Sequence, residues 1–130
     1  MKIGELAKAT QVSAKTIRYY ESIGLLISPT REANGYRHYR LSDLETLIFI
    51  KRCRELNIPI KDIKQLVMVQ HNPQASCSTV DTIIAEQLAR VRQMQQDLNQ
   101  LEQTLSSLFT SCSSKQIQDC FILQTLKSTE

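Results

Sequence analysis

The chain has 130 residues, 42% of them hydrophobic, and a formal net charge of +3 at pH 7. That length holds one modest domain and one long element, and no apolar run reaches the roughly 20 residues a bilayer demands, which argues against a membrane protein. Met1 leads directly into an amphipathic segment rather than a signal peptide, so a cytoplasmic protein is expected, in which four cysteines serve as thiols or metal ligands rather than disulfides.

Residues 1–64 carry twelve Lys or Arg against seven Asp or Glu, while residues 65–130 carry four against six, and all four tyrosines precede residue 40. A basic, tyrosine-bearing first half suits a phosphate backbone. Ile3, Leu6 and Ala7 share one face of a short helix, and Thr10, Gln11 and Val12 form a tight connection. Ser13 then caps a second helix through Ala14, Ile17 and Tyr20. Two short helices so joined make a helix-turn-helix, whose second member presents Lys15, Thr16, Arg18 and Tyr19 to DNA. Arg18 is the expected base reader, with Lys15 next, and Thr16 and Tyr19 fall to phosphate. Gly24 caps the helix end, and Tyr20 and Tyr39 are expected in the core. Asn34-Gly35 between strand-like flanks predicts a tight hairpin, a wing that brings Arg31, Asn34, Tyr36 and Arg37 to the DNA backbone. His38 joins it as a backbone contact.

Ser42 or Asp43 is expected to cap a third helix, and Pro59 to open a fourth with Ile60, Ile63, Leu66 and Val67 as its buried stripe. Lys51 and Arg54 are candidates for phosphate or for a solvated face. Cys53 reads as core. His71 reads as an exposed helix-end residue, with an auxiliary metal role held open.

From Val80 to Leu108 the residues Val80, Ile84, Gln87, Val91, Met94, Leu98, Leu101, Leu105 and Leu108 recur in 4-3 alternation, the seam of a two-stranded coiled coil broken only by Gln87. No Pro or Gly interrupts the run, so one continuous helix is expected, and its apolar stripe calls for a second copy. At about 1.5 Å per residue that helix holds Cys77 and Cys112 roughly 50 Å apart, whereas thiolates sharing one ion lie about 4 Å from each other. Antiparallel pairing about a two-fold axis near Met94 instead brings Cys77 of one subunit to Cys112 and Cys120 of its partner, giving two equivalent three-thiolate sites. The fold class is therefore mainly α, a winged helix-turn-helix head followed by a long antiparallel dimerisation coiled-coil helix. The expected division is 1–41 for the head, 42–75 for coupling helices, 76–110 for the dimer helix and 111–130 for a metal-binding loop and C-terminal segment.

The succession Ile3-Gly4-Glu5-Leu6-Ala7, Thr16-Ile17-Arg18-Tyr19-Tyr20-Glu21, Gly24-Leu25-Leu26 and Arg31-x-x-Asn34-Gly35-Tyr36-Arg37-x-Tyr39 resembles the MerR family of bacterial transcription regulators, over residues 1 to about 120. The resemblance implies a homodimer on double-stranded promoter DNA that, on taking up its ion, bends and untwists an overlong spacer until RNA polymerase can use it. Genes for metal export or sequestration are the implied targets. Soft thiolates select Cd, Pb, Hg, Zn or Cu(I) as the effector ion. Three thiolates leave a divalent ion with one excess negative charge, as two leave a monovalent one, and a buried site tolerates excess charge poorly, so Cys77 argues for a divalent ion. Cys77 also resembles the cadmium, lead and zinc branch of the family, whereas the C-x7-C spacing of Cys112 and Cys120 resembles the branch that senses Cu(I), Ag(I) or Au(I). Zinc wants a fourth ligand, for which water, His71 and Asp119 are available. Thiol-redox sensing through Cys112 and Cys120 is a further alternative. No nucleophile–base constellation or phosphate loop supports an enzyme.

Overall fold

The computed structural model describes residues 1–27, 30, 31, 35, 37–111 and 116–128. Helices α1 (Ile3–Thr10) and α2 (Ala14–Ser22) are followed by the strands β1 (Thr30–Arg31) and β2 (Arg37–His38). Helices α3 (Leu41–Glu55), α4 (Ile60–Gln70) and α5 (Ser78–Ser111), a 3-10 turn (Ile117–Asp119) and α6 (Phe121–Lys127) complete the order. The mainly helical class expected from the periodicities is what is observed, with a helix-turn-helix first and a long helix after it.

Helix boundaries follow from local chemistry. α1 stops where Gln11 turns left-handed at φ 57°. Ser13 opens α2 as expected, its hydroxyl accepting the Thr16 N–H at 3.1 Å. α2 closes in a Schellman turn: Gly24 at φ +83° donates to Glu21 O at 3.1 Å and Leu25 donates to Tyr20 O at 2.9 Å. α3 ends the same way without a glycine. Asn57 takes φ 59° and donates to Arg54 O, and Ile58 donates to Cys53 O at 3.2 Å. At the start of α3 the cap residue is Arg40, neither Ser42 nor Asp43. Asp43 instead sits three positions on, where its buried carboxylate accepts the Arg40 N–H at 2.8 Å. An acid in the first turn satisfies an orphan donor as well as a cap would.

β1 and β2 pair antiparallel with Thr30 opposite His38 and Arg31 opposite Arg37. The antiparallel pairing is that of the hairpin expected around Asn34-Gly35, and Gly35 takes φ +86°.

The chain forms two compact units, Met1–Gln87 and Leu88–Glu130. In the first, Leu6, Ile17, Leu47, Ile50 and Ile63 are wholly buried, and Tyr20, Tyr39, Cys53 and Ile83 close the core around them. Each such side chain contributes about 1.5–3 kcal/mol through its removal from water. The expected stripe of α4 is confirmed for Ile63, Leu66 and Val67, with Ile60 packed partly buried beside them. The second unit is the remainder of α5, the 3-10 turn and α6, with Met94, Leu98, Leu101, Leu105 and Phe109 exposed. Among the described residues no helix is long and apolar enough to cross a membrane.

Candidate DNA interface and thiol groups

α2 has two faces because Ile17 and Tyr20, three apart, both enter the core, and this forces their neighbours outward. Lys15, Arg18 and Tyr19 are exposed, and Thr16 is half-buried. Ser13 Oγ donates to Thr16 Oγ1 at 2.8 Å, which fills an acceptor position on Thr16 and leaves its own hydroxyl proton for another acceptor. Tyr39, 2% exposed, carries its hydroxyl to the Glu21 carboxylate as a donor, fixing the residue after β2 to α2. Beside it Met1 accepts the Tyr39 N–H at 2.7 Å and donates its ammonium to Tyr39 O at 2.8 Å. His38 is exposed, its Nδ1 at 3.5 Å from that ammonium. Of the wing residues, Arg31 and Arg37 lie on the paired strands, while Asn34 and Tyr36 lie outside the described residues.

Two cations treated as candidates for phosphate have partners within the fold. Lys51 Nζ donates to Thr10 O at the end of α1, at 3.2 Å, and Arg54 Nη1 donates to Ile58 O at 2.9 Å. A third, which the sequence did not single out, is Lys64, whose Nζ donates to Ile23 O at the end of α2, at 3.1 Å. Cations at helix C-termini satisfy orphan carbonyls and oppose the negative end of the helix dipole.

The cysteines differ in surroundings. Cys53 is buried, as expected, and burial pushes its thiol pKa up. It lines an open apolar groove of about 450 Å³ with Phe49, Leu56, Ile58, Val80 and Ile84. Cys77 is exposed immediately before α5, its carbonyl accepting the Asp81 N–H at 2.9 Å and so closing the first turn. Cys120 is half-buried at the cap of α6, and Cys112 lies outside the described residues. His71 is the exposed cap residue ending α4, and Asp119 is exposed in the 3-10 turn. Among the described residues of one chain no three His, Cys, Asp or Glu gather closely enough to hold a metal ion.

Along α5 the expected seam residues Ile84, Met94, Leu98, Leu101 and Leu105 are between 46% and 64% exposed, Val91 and Leu108 are half-buried, and Val80 packs against the core of the first unit. Two residues give the helix its inward face there. Ile83 is 3% exposed and Gln87 is 7% exposed, with Gln87 Nε2 donating to Leu56 O at 2.9 Å and to Asn57 O at 3.1 Å. The polar break in the seam is thus a hydrogen-bond donor to the α3–α4 corner. Its signal in the sequence was the break itself.

Residues 1–68 match the model of the MerR HTH family regulatory proteins, and residues 44–108 match that of the MerR DNA-binding family. A protein of Haemophilus influenzae described as a probable heavy metal-dependent transcriptional regulator is 37% identical over 97% of this chain and 98% of its own. The crystal structure of the transcription regulator PbrR691 from Ralstonia metallidurans CH34 in complex with lead(II) superposes with a TM-score of 0.88 at 36% identity, covering 97% of this chain and 98% of that one. The dual-function regulator MerR from Bacillus megaterium MB1, in complex with mercury(II), gives 0.76 at 32% identity over 98% and 100% of the two chains. A helix-turn-helix with a cationic outer face, a small wing and a long helix with an uncovered apolar stripe accord with these matches, and the chain belongs to the MerR family of helix-turn-helix transcription regulators.

Proposed function

We propose that this protein is a cytoplasmic, homodimeric, metal-responsive regulator that binds promoter DNA and activates metal-resistance or efflux genes with RNA polymerase. Its effector is a divalent thiophilic ion, Cd or Pb ahead of Zn or Hg. Cys77 of one protomer and Cys112 and Cys120 of the other would hold that ion. The observation that carries this reading is the exposed thiol of Cys77 at the start of α5, clear of the core in which Cys53 is buried. Relatives of similar length are named for heavy metals, or were crystallised with lead(II) or mercury(II). The uncovered apolar stripe of α5 supplies the reason for a second copy. His71 and Asp119, both exposed, are available where zinc wants a fourth ligand.

On the DNA side, Arg18 reads base edges from α2, Lys15 supports it, and Thr16 and Tyr19 reach phosphate. Arg31, Asn34, Tyr36 and Arg37 of the wing grip the adjoining backbone, fixing register while the helix supplies sequence choice. A bridge between subunits favours one dimer geometry, and the heads pass that bias to the duplex as deformation.

The spacing of Cys112 and Cys120 favours a second reading, a sensor of Cu(I), Ag(I) or Au(I). One experiment separates the two. The purified protein selects a promoter duplex from the genomic DNA flanking its own reading frame, and transcription from that promoter is followed with each ion for the parent and for Cys77→Ser. Loss of the Cd and Pb response in Cys77→Ser, with elemental analysis showing the ion lost too, is the expected result. An undiminished Cd or Pb response in that variant would overturn the three-thiolate site, and a parent that answers only Cu or Ag would establish the second reading.

A further inference from the structure

We propose that Gln87 is a positioning residue through which α5 sets the DNA-reading helix, by way of a chain of side-chain hydrogen bonds that ends at both flanks of α2. The inference rests on the assignment of α2 as the reading helix. Gln87 is a misfit in the apolar seam of α5. A coiled-coil seam at position 87 would take leucine, and leucine there would extend the apolar run from Ile84 to Val91. The side chain present is instead polar and 7% exposed, its amide turned to two carbonyls of its own chain.

Those carbonyls belong to the corner between α3 and α4. The corner is held open to a donor because Asn57 takes the left-handed conformation, and its own N–H groups turn back to Arg54 O and Cys53 O through Asn57 and Ile58. Leu56 O and Asn57 O are left facing out, and Gln87 takes both with one amide nitrogen. The third carbonyl, Ile58 O, goes to Arg54. α5 is thereby fastened to the corner by directional bonds as well as by the apolar contacts of Val80 and Ile83.

From the corner one arm reaches the end of α1, just ahead of α2, and a second reaches the end of α2. On α3, Lys51 donates to Thr10 O, just ahead of the Gln11 turn and the Ser13 cap at the start of α2. On α4, Lys64 donates to Ile23 O, the cap residue at the other end. Gly24 fits this second arm, because a Cβ on it would lie 3.2 Å from Lys64 Nζ. The helix before the corner thus holds the end of α1, three residues ahead of the Ser13 cap, and the helix after it holds the end of the reading helix. A change in how α5 seats against the corner moves two supports rather than one, and so rotates α2 against the wing. Packed interiors pass such shifts on because they do not deform continuously.

The test uses the full chain and the selected duplex. Amide hydrogen exchange over residues 88–105 is measured with and without DNA, since linkage requires that whatever α5 does to α2, DNA on α2 does to α5. In the parent, duplex binding changes exchange in that segment by about threefold or more. In Gln87→Leu the change falls to about that of a control lacking the cognate site, while the Kd for the duplex stays within about threefold of the parent. Gln87→Lys, which restores an N–H donor, recovers the response. A merely structural Gln87 would lower the melting temperature in Gln87→Leu and leave the exchange response whole, and that outcome overturns the proposal, as does a parent with no response. The double variant Lys51→Met, Lys64→Met breaks the route without touching α5, and an intact response there overturns it as well. If the parent binds no duplex, the promoter reading itself falls, which is distinct from binding without transmission.

Discussion

Arg18 stands one position from Ile17, which is wholly buried, and two from Tyr20, which is nearly so, and this spacing turns its guanidinium outward without any partner in the fold being needed to aim it. Arg18→Ala should weaken binding to the selected duplex by about 1–3 kcal/mol and relax choice at one base position, because a bidentate contact to guanine is lost. Competition with single-base variants of the duplex measures this. A loss spread evenly over every sequence would make Arg18 a phosphate contact instead. At this scale the sequence was legible wherever one residue type has one usual place: Ser13 at a cap, Tyr20, Tyr39 and Cys53 inside, Gly24 after a helix. It was illegible for Lys51, Arg54 and Gln87, whose acceptors are backbone carbonyls far along the chain or set by a turn. A cation in a sequence declares its charge, and only the fold supplies the acceptor.

Among the elements α5 was the most readable, since a 4-3 repeat free of Pro and Gly has few alternatives to one long helix, and Ser78–Ser111 is continuous. The repeat could not say where its inward duty ends. Val80 and Ile83 belong to the core of the first unit, while Leu98, Leu101 and Leu105 face outward. Leu101→Glu tests that outward stretch. If it is the dimer seam, burying two carboxylates there costs several kcal/mol, and sedimentation should find mainly monomer at micromolar concentration where the parent is dimeric. An unchanged dimer would assign the contact elsewhere. The wing was legible as a hairpin from Asn34-Gly35, while its register, Arg31 opposite Arg37, is set by which flanking residues pair. The cap of α3 was missed by two or three positions because an acid serves at the third helical position as well as at the cap.

For the whole molecule, family membership was legible because several short motifs stand in one order, and the model matches over residues 1–68 and 44–108 bear it out. Choice of ion is carried by ligand number, charge and loop shape together, and Cys77 and the C-x7-C spacing pull in different directions. The proposed three-thiolate site draws on two copies, and among the described residues of one chain no three such ligands gather.

The buried thiol of Cys53 gives the molecule a built-in gauge of its own opening. Thiolate is the reactive form, and burial both leaves little of this sulfur exposed and favours its protonated state, so an alkylating reagent should consume Cys77 at once and Cys53 far more slowly until the first unit comes apart. Mass spectrometry of pulse-labelled protein across a urea series would date that event, and early labelling of Cys53 in water would reveal a loosely closed interior. Soft ions added to the intact protein then meet the exposed Cys77, and Cys53 is released to compete for them as the head unfolds.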